Sequence, residues 1–312
     1  MAEPVALAAL MMEAAVGWPG AVYRRIGHPV GGFAAVISGC EARWNRPDRS
    51  FATRRLAGVG VVLLLIVLAG GIAFGLQRLA FEAFGRWAWL ACALLAAPGL
   101  AQRSLFDHVR AVQTALAEGD LTGARVAVGR IVGRDVASLD AAGVARAAIE
   151  SLAESFCDGI AAPLFWLLLL GLPGLWVYKA INTADSLIGH REPRWRAFGW
   201  AAARTDDVLN LAPARIAGAL LCVVGGGGWR TMWHDAGRHA SPNAGWTEAA
   251  VAGALGLGLA GPVWYDGALA DKPWIGAGRR DADARDIARA LRLYVRACLA
   301  LWLIVGGVAW LR

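Results

Sequence analysis

Long runs of hydrophobic residues dominate the sequence and predict helices that cross a membrane. The clearest run extends from Leu56 to Leu76 without a single charge, and a spanning helix needs about 20 apolar residues. A second run, Gly159–Tyr178, lies between Asp158 and Lys179. Both runs are long enough to be buried in a bilayer, so the pattern favours an integral membrane protein.

Shorter apolar runs indicate further membrane segments that tilt or insert only in part. They are Trp87–Ala101, Ile216–Trp229, Ala249–Tyr265 and Ala297–Leu311. The opening stretch Val5–Val16 lacks a basic region before it, so we interpret it as an amphipathic or membrane-embedded helix rather than a signal peptide. The predicted fold is an all-α, polytopic membrane protein with about 4–6 membrane segments.

Polar segments separate the apolar runs, and the longest predicts a small helical subdomain over residues 102–158. Within it, Val109, Val112 and Leu116 recur at helical spacing, and the Gly119–Asp120 break predicts the start of a second helix. We expect this subdomain to lie within one membrane domain that spans residues 1–312.

The composition excludes several classes of protein. Hydrophobic residues make up 57% and charged residues 18%, whereas soluble domains average roughly 45–50% and about 25%. The five cysteines are too few for a disulfide scaffold of this length and include no CxxC pair. The net charge of +7 comes from arginines spread among the loops, as in cytoplasmic loops of membrane proteins, so nucleic acid is not an expected partner.

One carboxylate stripe is predicted at the edge of an apolar run. Glu150, Glu154 and Asp158 follow one another at intervals of four residues, with Arg146 one turn earlier, so they share a helical face. Three carboxylates on one face suit Mg²⁺, which prefers oxygen ligands. The alternative is a solvated face with an Arg146–Glu150 ion pair.

Two further polar groups follow the second apolar run. Lys179 and Asn182 share a face if the helix continues, with Asp185 close by. Lysine can neutralise a phosphate or carboxylate, or its charge can extend to the interface from a helix end. Asp206 and Asp207 again suit a hard cation, and solvated loop charges are an equally good interpretation.

Asn243 follows a Ser-Pro turn and predicts the N-cap of an apolar helix that runs through Leu255. The start of a helix near a membrane can bind an anion through its free N–H groups. A purely structural cap would give the same sequence pattern.

Taken together, these blocks resemble the CobD/CbiB family of cobalamin biosynthesis. The blocks that carry the resemblance are HPV (28–30), ESLAESFCDGIAAPLFW (150–166), YKAINTADSLIG (178–189), FGWAAARTDDVLNLAPAR (198–215) and HASPNAGWTEAAVAGALG (239–256). They occur in the same order as in the family and extend over nearly the whole chain from about residue 28.

The resemblance implies adenosylcobinamide-phosphate synthase activity. Family members attach (R)-1-amino-2-propanol or its O-phosphate to the free propionate of adenosylcobyric acid, and they are taken to use ATP and Mg²⁺. An acyl phosphate would make the carboxylate oxygen a leaving group, and Mg²⁺ with cationic side chains would stabilise the transferring phosphoryl group. The resemblance also implies the bacterial inner membrane, with the active site facing the cytoplasm.

Candidate site residues follow from the matched blocks, and their roles are hypotheses. The acid/base candidates are Glu150, Glu154, Asp206, Asp207 and Glu248. The substrate-binding candidates are His28, Lys179, Asn182, Asp185, Arg215, Ser241 and Asn243. The metal candidates are Glu154, Asp158, Asp206 and Asp207.

The motif blocks on either side of residues 159–178 must reach the same side of the membrane. The Gly171–Gly174 break therefore predicts a re-entrant hairpin, lined by protein rather than lipid. The runs Ile216–Trp229 and Ala249–Tyr265 predict a second hairpin.

Two other functions stay open at the level of sequence. One is a non-catalytic membrane protein resembling the AmpE type, and the other is a corrinoid carrier or transporter, since transporters also use broken helices. The sequence also leaves a homo-oligomer open.

Overall fold

The computed structural model confirms the predicted all-α fold. It describes residues 2–133, 135–265, 268–270 and 272–311, and the side chains of 2–3, 263–265 and 268–270 lie outside the description. The helices are α1 (Ala2–Val16), α2 (Gly20–Ile26), α3 (Pro29–Trp44), α4 (Phe51–Phe84), α5 (Ala88–Ala96), α6 (Gln102–Ala117), α7 (Leu121–Val128), α8 (Ala141–Phe156), α9 (Ala162–Ile188), α10 (Trp200–Leu209), α11 (Leu211–Gly225), α12 (Trp229–Asp235), α13 (Ala244–Leu255) and α14 (Ala284–Trp310). A π-helical segment, Cys157–Ala161, links α8 to α9.

Two small antiparallel ribbons interrupt the helical fold between α13 and α14. The strands are β1 (Leu259–Ala260), β2 (Val263–Tyr265), β3 (Ala268–Ala270) and β4 (Trp274–Ile275). β1 pairs with β4, and β2 pairs with β3.

The chain forms two compact units. The first comprises residues 1–101, 162–210 and 305–312, and the second comprises residues 102–161 and 211–304. The segment 102–158 belongs to the second unit, and the boundaries of a separate loop subdomain stay a prediction.

Helix α4 carries the predicted span Leu56–Leu76. Its start is fixed by Ser50, whose side chain accepts a hydrogen bond from the Thr53 N–H, and its end by Gly85 with φ 50°. By length and composition, the described residues include three helical stretches that are apolar enough to cross a membrane, or up to five if each bent pair is one span. The polytopic prediction is thereby confirmed.

In the first unit, α3, α4, α9 and α10 enclose an apolar core that includes Ile37, Leu65 and Ile181. Gly58 on α4 lies directly against the Phe198 carbonyl, where a Cβ would stand only 1.8 Å from that oxygen. This close approach explains why a glycine is needed in an otherwise bulky apolar helix.

The opening helix α1 packs one of its faces inside the first unit. Val5, Ala6, Ala9 and Leu10 are all buried, and α1 packs against α5 and α9. Its polar Glu13 is also buried, with 4% of its surface exposed. The placement of this helix in or on a membrane stays a prediction.

Helix α9 folds back on itself at Gly171, as the sequence predicts. Gly171 has φ 68°, and a Cβ on Gly174 would lie 2.4 Å from the Trp166 carbonyl oxygen. Eight residues of a straight helix extend about 12 Å, so this contact requires a reversal between the two positions. The side chain of Gln77 supports the turn by accepting a hydrogen bond of 3.0 Å from the Leu172 N–H. The hairpin is confirmed, and its re-entrant placement in a membrane stays a prediction.

In the second unit, the predicted break at Gly119–Asp120 is confirmed. Gly119 has φ 77°, and the Asp120 carboxylate caps α7 by accepting a hydrogen bond from the Gly123 N–H at 2.8 Å. Val109 and Val112 are fully buried on the inner face of α6. Local signals were sufficient here because both helices are short and amphipathic.

Two of the predicted segments in this unit are wrong in extent. The run Ala249–Tyr265 is not one helix, because α13 ends at Leu255 and Gly256 adopts a left-handed conformation. The run Ile216–Trp229 belongs to a helix that begins at Leu211 and ends at Gly225. A glycine ends each helix, and the hydrophobic pattern alone does not show this because glycines also occur inside apolar runs.

The second predicted hairpin is also wrong. Gly218 of α11 lies against Trp246 of α13, and Gly225 lies against Ala254, so the two helices run parallel. The two helices can run parallel because α12, which connects them, runs back in the opposite direction. Gly228, at the start of α12, lies against the Ala250 carbonyl. The parallel arrangement brings the N-terminal ends of α11 and α13 together.

Candidate functional site

The first group of predicted residues lies where α9 and α10 run antiparallel. The connection between them, residues 189–199, ends beside its own start because Gly199 lies against the Ile188 carbonyl, with 1.6 Å between that oxygen and the position of a Cβ. This connection brings the C-terminal half of α9 alongside α10.

Asp206 is the centre of a buried hydrogen-bond network in this group. Asn182 donates to one carboxylate oxygen at 3.3 Å, and Asn210 donates to the other at 3.0 Å. The Tyr178 hydroxyl donates to the Asn210 amide oxygen at 3.0 Å. Because each amide is held by its own partners, the carboxylate of Asp206 is fixed in orientation.

Two further carboxylates stand near this network. Asp185 lies within electrostatic reach of both Asp206 and Asp207, and Asp207 pairs with Arg204 at 2.9 Å. Like charges at such separations favour a nearby cation. The structure therefore brings three of the predicted acidic residues into one neighbourhood.

Lys179 and His28 complete the predicted residues of the first unit. Lys179 is partly exposed on α9 and lies within electrostatic reach of His28. His28 caps α3 by accepting a hydrogen bond from the Val30 N–H at 3.2 Å, and its ring meets Trp18 edge to face at 5.1 Å. A structural role for His28 is thus visible beside the predicted binding role.

The second group lies at the shared N-terminal end of α11 and α13. Arg215 donates to the Asn243 amide oxygen at 3.2 Å, and its guanidinium stands 4.7 Å from the centre of the Trp246 ring. The contact with a ring face holds the guanidinium in place while leaving it charged. Arg215 and Asn243, 28 positions apart in sequence, are therefore direct neighbours.

The helix cap in this group differs from the prediction. Asn243 occupies the N-cap position, but its side chain makes no capping bond. Ser241 acts instead, with its hydroxyl oxygen accepting hydrogen bonds from the N–H groups of Asn243 and Ala244 at 3.2 and 3.3 Å. Because the Ser241 hydroxyl accepts the hydrogen bonds at the start of the helix, the Asn243 side chain can bind Arg215 instead.

His239 and Glu248 form a mostly buried pair in the same group. The distance between His239 Nε2 and the Glu248 carboxylate is 3.6 Å, and the His239 Nδ1 accepts a hydrogen bond from the Ser241 N–H. Burial, assisted by the charge of Lys272, lowers the pKa of His239, although Glu150 opposes the change. Nδ1 is thus an acceptor, and a neutral imidazole carries its proton on Nε2, facing Glu248.

The predicted carboxylate stripe begins on α8. Arg146 and Glu150 are half-buried and Glu154 is exposed on this helix, and Asp158 is half-buried in the π-helical segment that follows it. Glu150 accepts a hydrogen bond from the Ala260 N–H at 2.9 Å, and Ala260 has φ 56°. Arg146 donates to the Arg280 carbonyl, so its role differs from the simple ion pair with Glu150 considered above.

Comparison with known proteins identifies the family. The profile of the CobD/CbiB protein family matches residues 6–294. The chain belongs to the CobD/CbiB family.

Relatives in this family are similar to the chain over nearly its whole length. A cobalamin biosynthesis protein CobD of Rhodobacter capsulatus is 49% identical over 304 residues, covering 96% of this chain and 95% of the relative. Proteins of the same name from a Sinorhizobium species and Brucella anthropi are 44% and 45% identical, with 96% and 92% of this chain covered and 96% and 90% of the relatives. No solved structure matches the chain. Membership in the CobD/CbiB family supports a role in cobalamin biosynthesis.

Mg²⁺ is the metal that resemblance to the CobD/CbiB family implies. Among the residues that the structure describes, no three His, Cys, Asp or Glu side chains are grouped as a metal site. Mg²⁺, however, is commonly bound by one or two carboxylates together with waters and substrate phosphates. Asp206, with Asp185 and Asp207 near it, fits that mode of binding, and the roles of Glu154 and Asp158 stay predictions.

Sequence reasoning missed several members of both groups. Tyr178 holds Asn210, the partner of Asp206, and His239, Trp246 and Lys272 lie near residues of the second group. All except Lys272 lie inside the quoted sequence blocks, so the signal was present. What was lacking was the fold, which decides which residues of a block face one another.

Proposed function

We propose that this CobD/CbiB protein is an adenosylcobinamide-phosphate synthase. It joins (R)-1-amino-2-propanol, or its O-phosphate, to the free propionate of adenosylcobyric acid through an amide bond. The observation that carries the proposal is that the charged and amide side chains of the family's blocks form specific contacts within each unit. Asn182 holds Asp206 in the first unit, and Arg215 holds Asn243 in the second.

The reaction needs an activated carboxylate, because a propionate does not condense with an amine unaided at neutral pH. ATP with Mg²⁺ would supply a phosphoryl group that turns the propionate oxygen into a leaving group. Asp206, assisted by Asp185 or Asp207, would hold the Mg²⁺. The positive charge of Lys179 would stabilise negative charge that develops on a transferring phosphoryl group.

The second unit offers groups suited to substrate binding and proton transfer. Arg215 and Asn243 present a cation and an amide at one helix end, where a carboxylate, a phosphate or a corrin side-chain amide could bind. The amine must lose a proton as it attacks the acyl group. The Glu248 carboxylate, which faces the Nε2–H of a neutral His239, would accept that proton, and the lowered pKa of His239 keeps the imidazole a neutral donor near neutral pH.

The proposed location is the bacterial inner membrane, with the active site on the cytoplasmic side. Its basis is that ATP and the corrinoid are cytoplasmic, and that the arginine-rich loops fit the positive-inside rule. The three to five apolar helical stretches supply the anchorage.

A genetic experiment separates this enzyme from a signalling or transport protein. The gene would be expressed in a cobalamin-producing bacterium that lacks its own CobD/CbiB gene, and intracellular corrinoids would be profiled by mass spectrometry. We expect the host to accumulate adenosylcobyric acid and the expressed chain to convert it to adenosylcobinamide or its phosphate. Continued accumulation of adenosylcobyric acid, with the protein present in the membrane, would contradict the proposal.

A further inference from the structure

Two arginines of the second unit stack on one tryptophan. The guanidinium carbon of Arg280 lies 4.3 Å from the centre of the Trp274 ring, and that of Arg146 lies 5.4 Å from it. Arg146 also donates to the Arg280 carbonyl. Both positive charges therefore lie at this one ring, and an anion or solvent would offset their repulsion.

The tryptophan that holds them is itself firmly placed. Trp274 belongs to β4, which pairs with Ala260 of β1, and its indole packs against Gly261, where a Cβ would stand 2.6 Å from ring atoms. Ala260 in turn donates to Glu150 on α8. The arginine pair is thus tied to the helix that carries the predicted carboxylate stripe.

Carboxylates pair with the arginines on either side of this cluster. Arg238 pairs with Asp235 at 3.2 Å, and Arg279 pairs with Asp286 and Asp281. Within the described part of the chain, no carboxylate pairs with the guanidinium of Arg280. The Arg280 side chain is exposed, so a ligand can reach it from solvent.

We propose that Arg146 and Arg280, stacked on Trp274, form a binding site for a phosphate ester. Planar guanidinium groups bind phosphate oxygens through two parallel hydrogen bonds each, and the ring holds both groups in advance of binding. The site is too small for a nucleic-acid surface, which needs a longer row of cations.

Two phosphate esters of the proposed reaction share this chemistry, ATP and the O-phosphate of aminopropanol. The assignment of the site to either substrate rests on the proposed function, whereas anion binding by the arginine pair does not. A phosphate group in a lipid headgroup is the competing source.

The test measures binding, without turnover, by the full-length protein purified in detergent. Separate titrations would use ATP, aminopropanol O-phosphate and a short-chain phosphatidic acid, each with wild type, Arg280→Gln and Arg292→Gln. Arg292 is an exposed arginine of α14 in the same unit, so its replacement removes the same charge elsewhere. Thermal unfolding of each variant would check that the fold is retained.

We expect Arg280→Gln to weaken binding of ATP or of aminopropanol O-phosphate by about tenfold, the effect of one lost charge-assisted hydrogen bond. Arg292→Gln should bind like wild type. Whichever of the two substrates responds is the one that occupies the site. The affinity of Arg280→Lys should lie between those of wild type and Arg280→Gln, because lysine keeps the charge but lacks the two parallel N–H donors of a guanidinium.

Three results would overturn the proposal: equal affinities for wild type and Arg280→Gln, equal losses in both glutamine variants, or a response only to phosphatidic acid. Failure of this site and failure of the proposed function are distinguishable. A protein that forms the amide with unchanged KM for both phosphate compounds in Arg280→Gln retains the function and loses the site. A protein that binds through Arg280 but forms no amide retains the site alone.

Discussion

Both carboxylate oxygens of Asp206 receive a hydrogen bond from an asparagine side chain. Such a carboxylate is held in one orientation before any ligand arrives, which lowers the cost of ordering it on binding. The asparagines differ in origin, since Asn182 comes from α9 and Asn210 follows α10. The network therefore links the two helices as well as placing the carboxylate.

Asp206→Asn should abolish most of the activity while the protein stays folded. The amide keeps the shape of the side chain but loses the negative charge that would bind a cation or accept a proton. We therefore expect the rate to fall about 100-fold or more. Amide formation would be measured by mass spectrometry under saturating substrates. Glu82→Gln, which alters an exposed ion pair with Arg78, is the matched control and should leave the rate unchanged.

Asn210→Ala should destabilise the protein through the same network. It removes a donor from Asp206 and the acceptor of the Tyr178 hydroxyl, and each buried group left without its partner costs about 1–3 kcal/mol. Thermal unfolding in detergent would measure the loss. Tyr178→Phe removes only the hydroxyl and should cost less, and an equal or greater loss in Tyr178→Phe would contradict the account.

His239 gives the protein a pH dependence of defined sign. Burial lowers the pKa of its folded form, so on acidification below about 6.5 the unfolded chain binds a proton first. The contribution of a neutral, buried His239 to the free energy of unfolding is therefore complete above about pH 6.5. It is lost as the pH decreases toward the lower pKa of the folded form. His239→Gln should flatten this part of the profile of unfolding free energy against pH.

At the residue scale the sequence supplied the candidates but not their partners. Asp206 and Asn182 were both proposed from the sequence, yet their contact depends on the connection that ends at Gly199. Arg215 and Asn243 were proposed separately, because nothing local to either residue shows that α11 and α13 share an N-terminal end. Partner choice is a property of the tertiary fold, which residue type alone does not encode.

The hairpin in α9 shows which larger elements a sequence can predict. The Gly171–Gly174 break, with its internal Pro173, interrupts an apolar run in a way that a straight helix does not tolerate. Gly171 adopts φ 68°, which strongly favours glycine. The reversal was predictable because its cause lies in four adjacent residues.

Gly171→Ala should destabilise the hairpin by about 1–3 kcal/mol. The new methyl group would be strained at positive φ and would stand 2.7 Å from the Gln77 side-chain oxygen that supports the turn. Gly71→Ala in α4, where a Cβ meets nothing within 4 Å, is the control. Melting temperatures in detergent would be compared, and equal values for the two variants would show that the turn does not depend on Gly171.

Helix ends and helix order were less accessible to prediction. Asn243 stands at the start of α13 as the sequence predicts, yet Ser241 provides the cap because its hydroxyl reaches two N–H groups. The parallel packing of α11 and α13 requires the intervening α12, whose seven residues carry no strong signal. Short connecting helices therefore limited the prediction of topology.

The whole chain combines two units, and each contains one group of candidate residues. The first holds Asp206 and its partners between α9 and α10, and the second holds Arg215, Asn243, His239 and Glu248 around α11 and α13. Composition was sufficient to predict an all-α membrane protein, since burial in lipid selects for long apolar helices. It did not predict the two ribbons before α14, whose strands are two or three residues long.

The most direct test of the central claim is in vitro amide formation. Purified protein in detergent would be incubated with adenosylcobyric acid, ATP, Mg²⁺ and either aminopropanol or its O-phosphate, and the corrinoids analysed by mass spectrometry. We expect an amide product from the wild type with one of the two amines, and about 100-fold less or none from Glu248→Gln and Asp206→Asn. Absence of product with both amines, from a folded wild-type protein that binds the corrinoid, would contradict it.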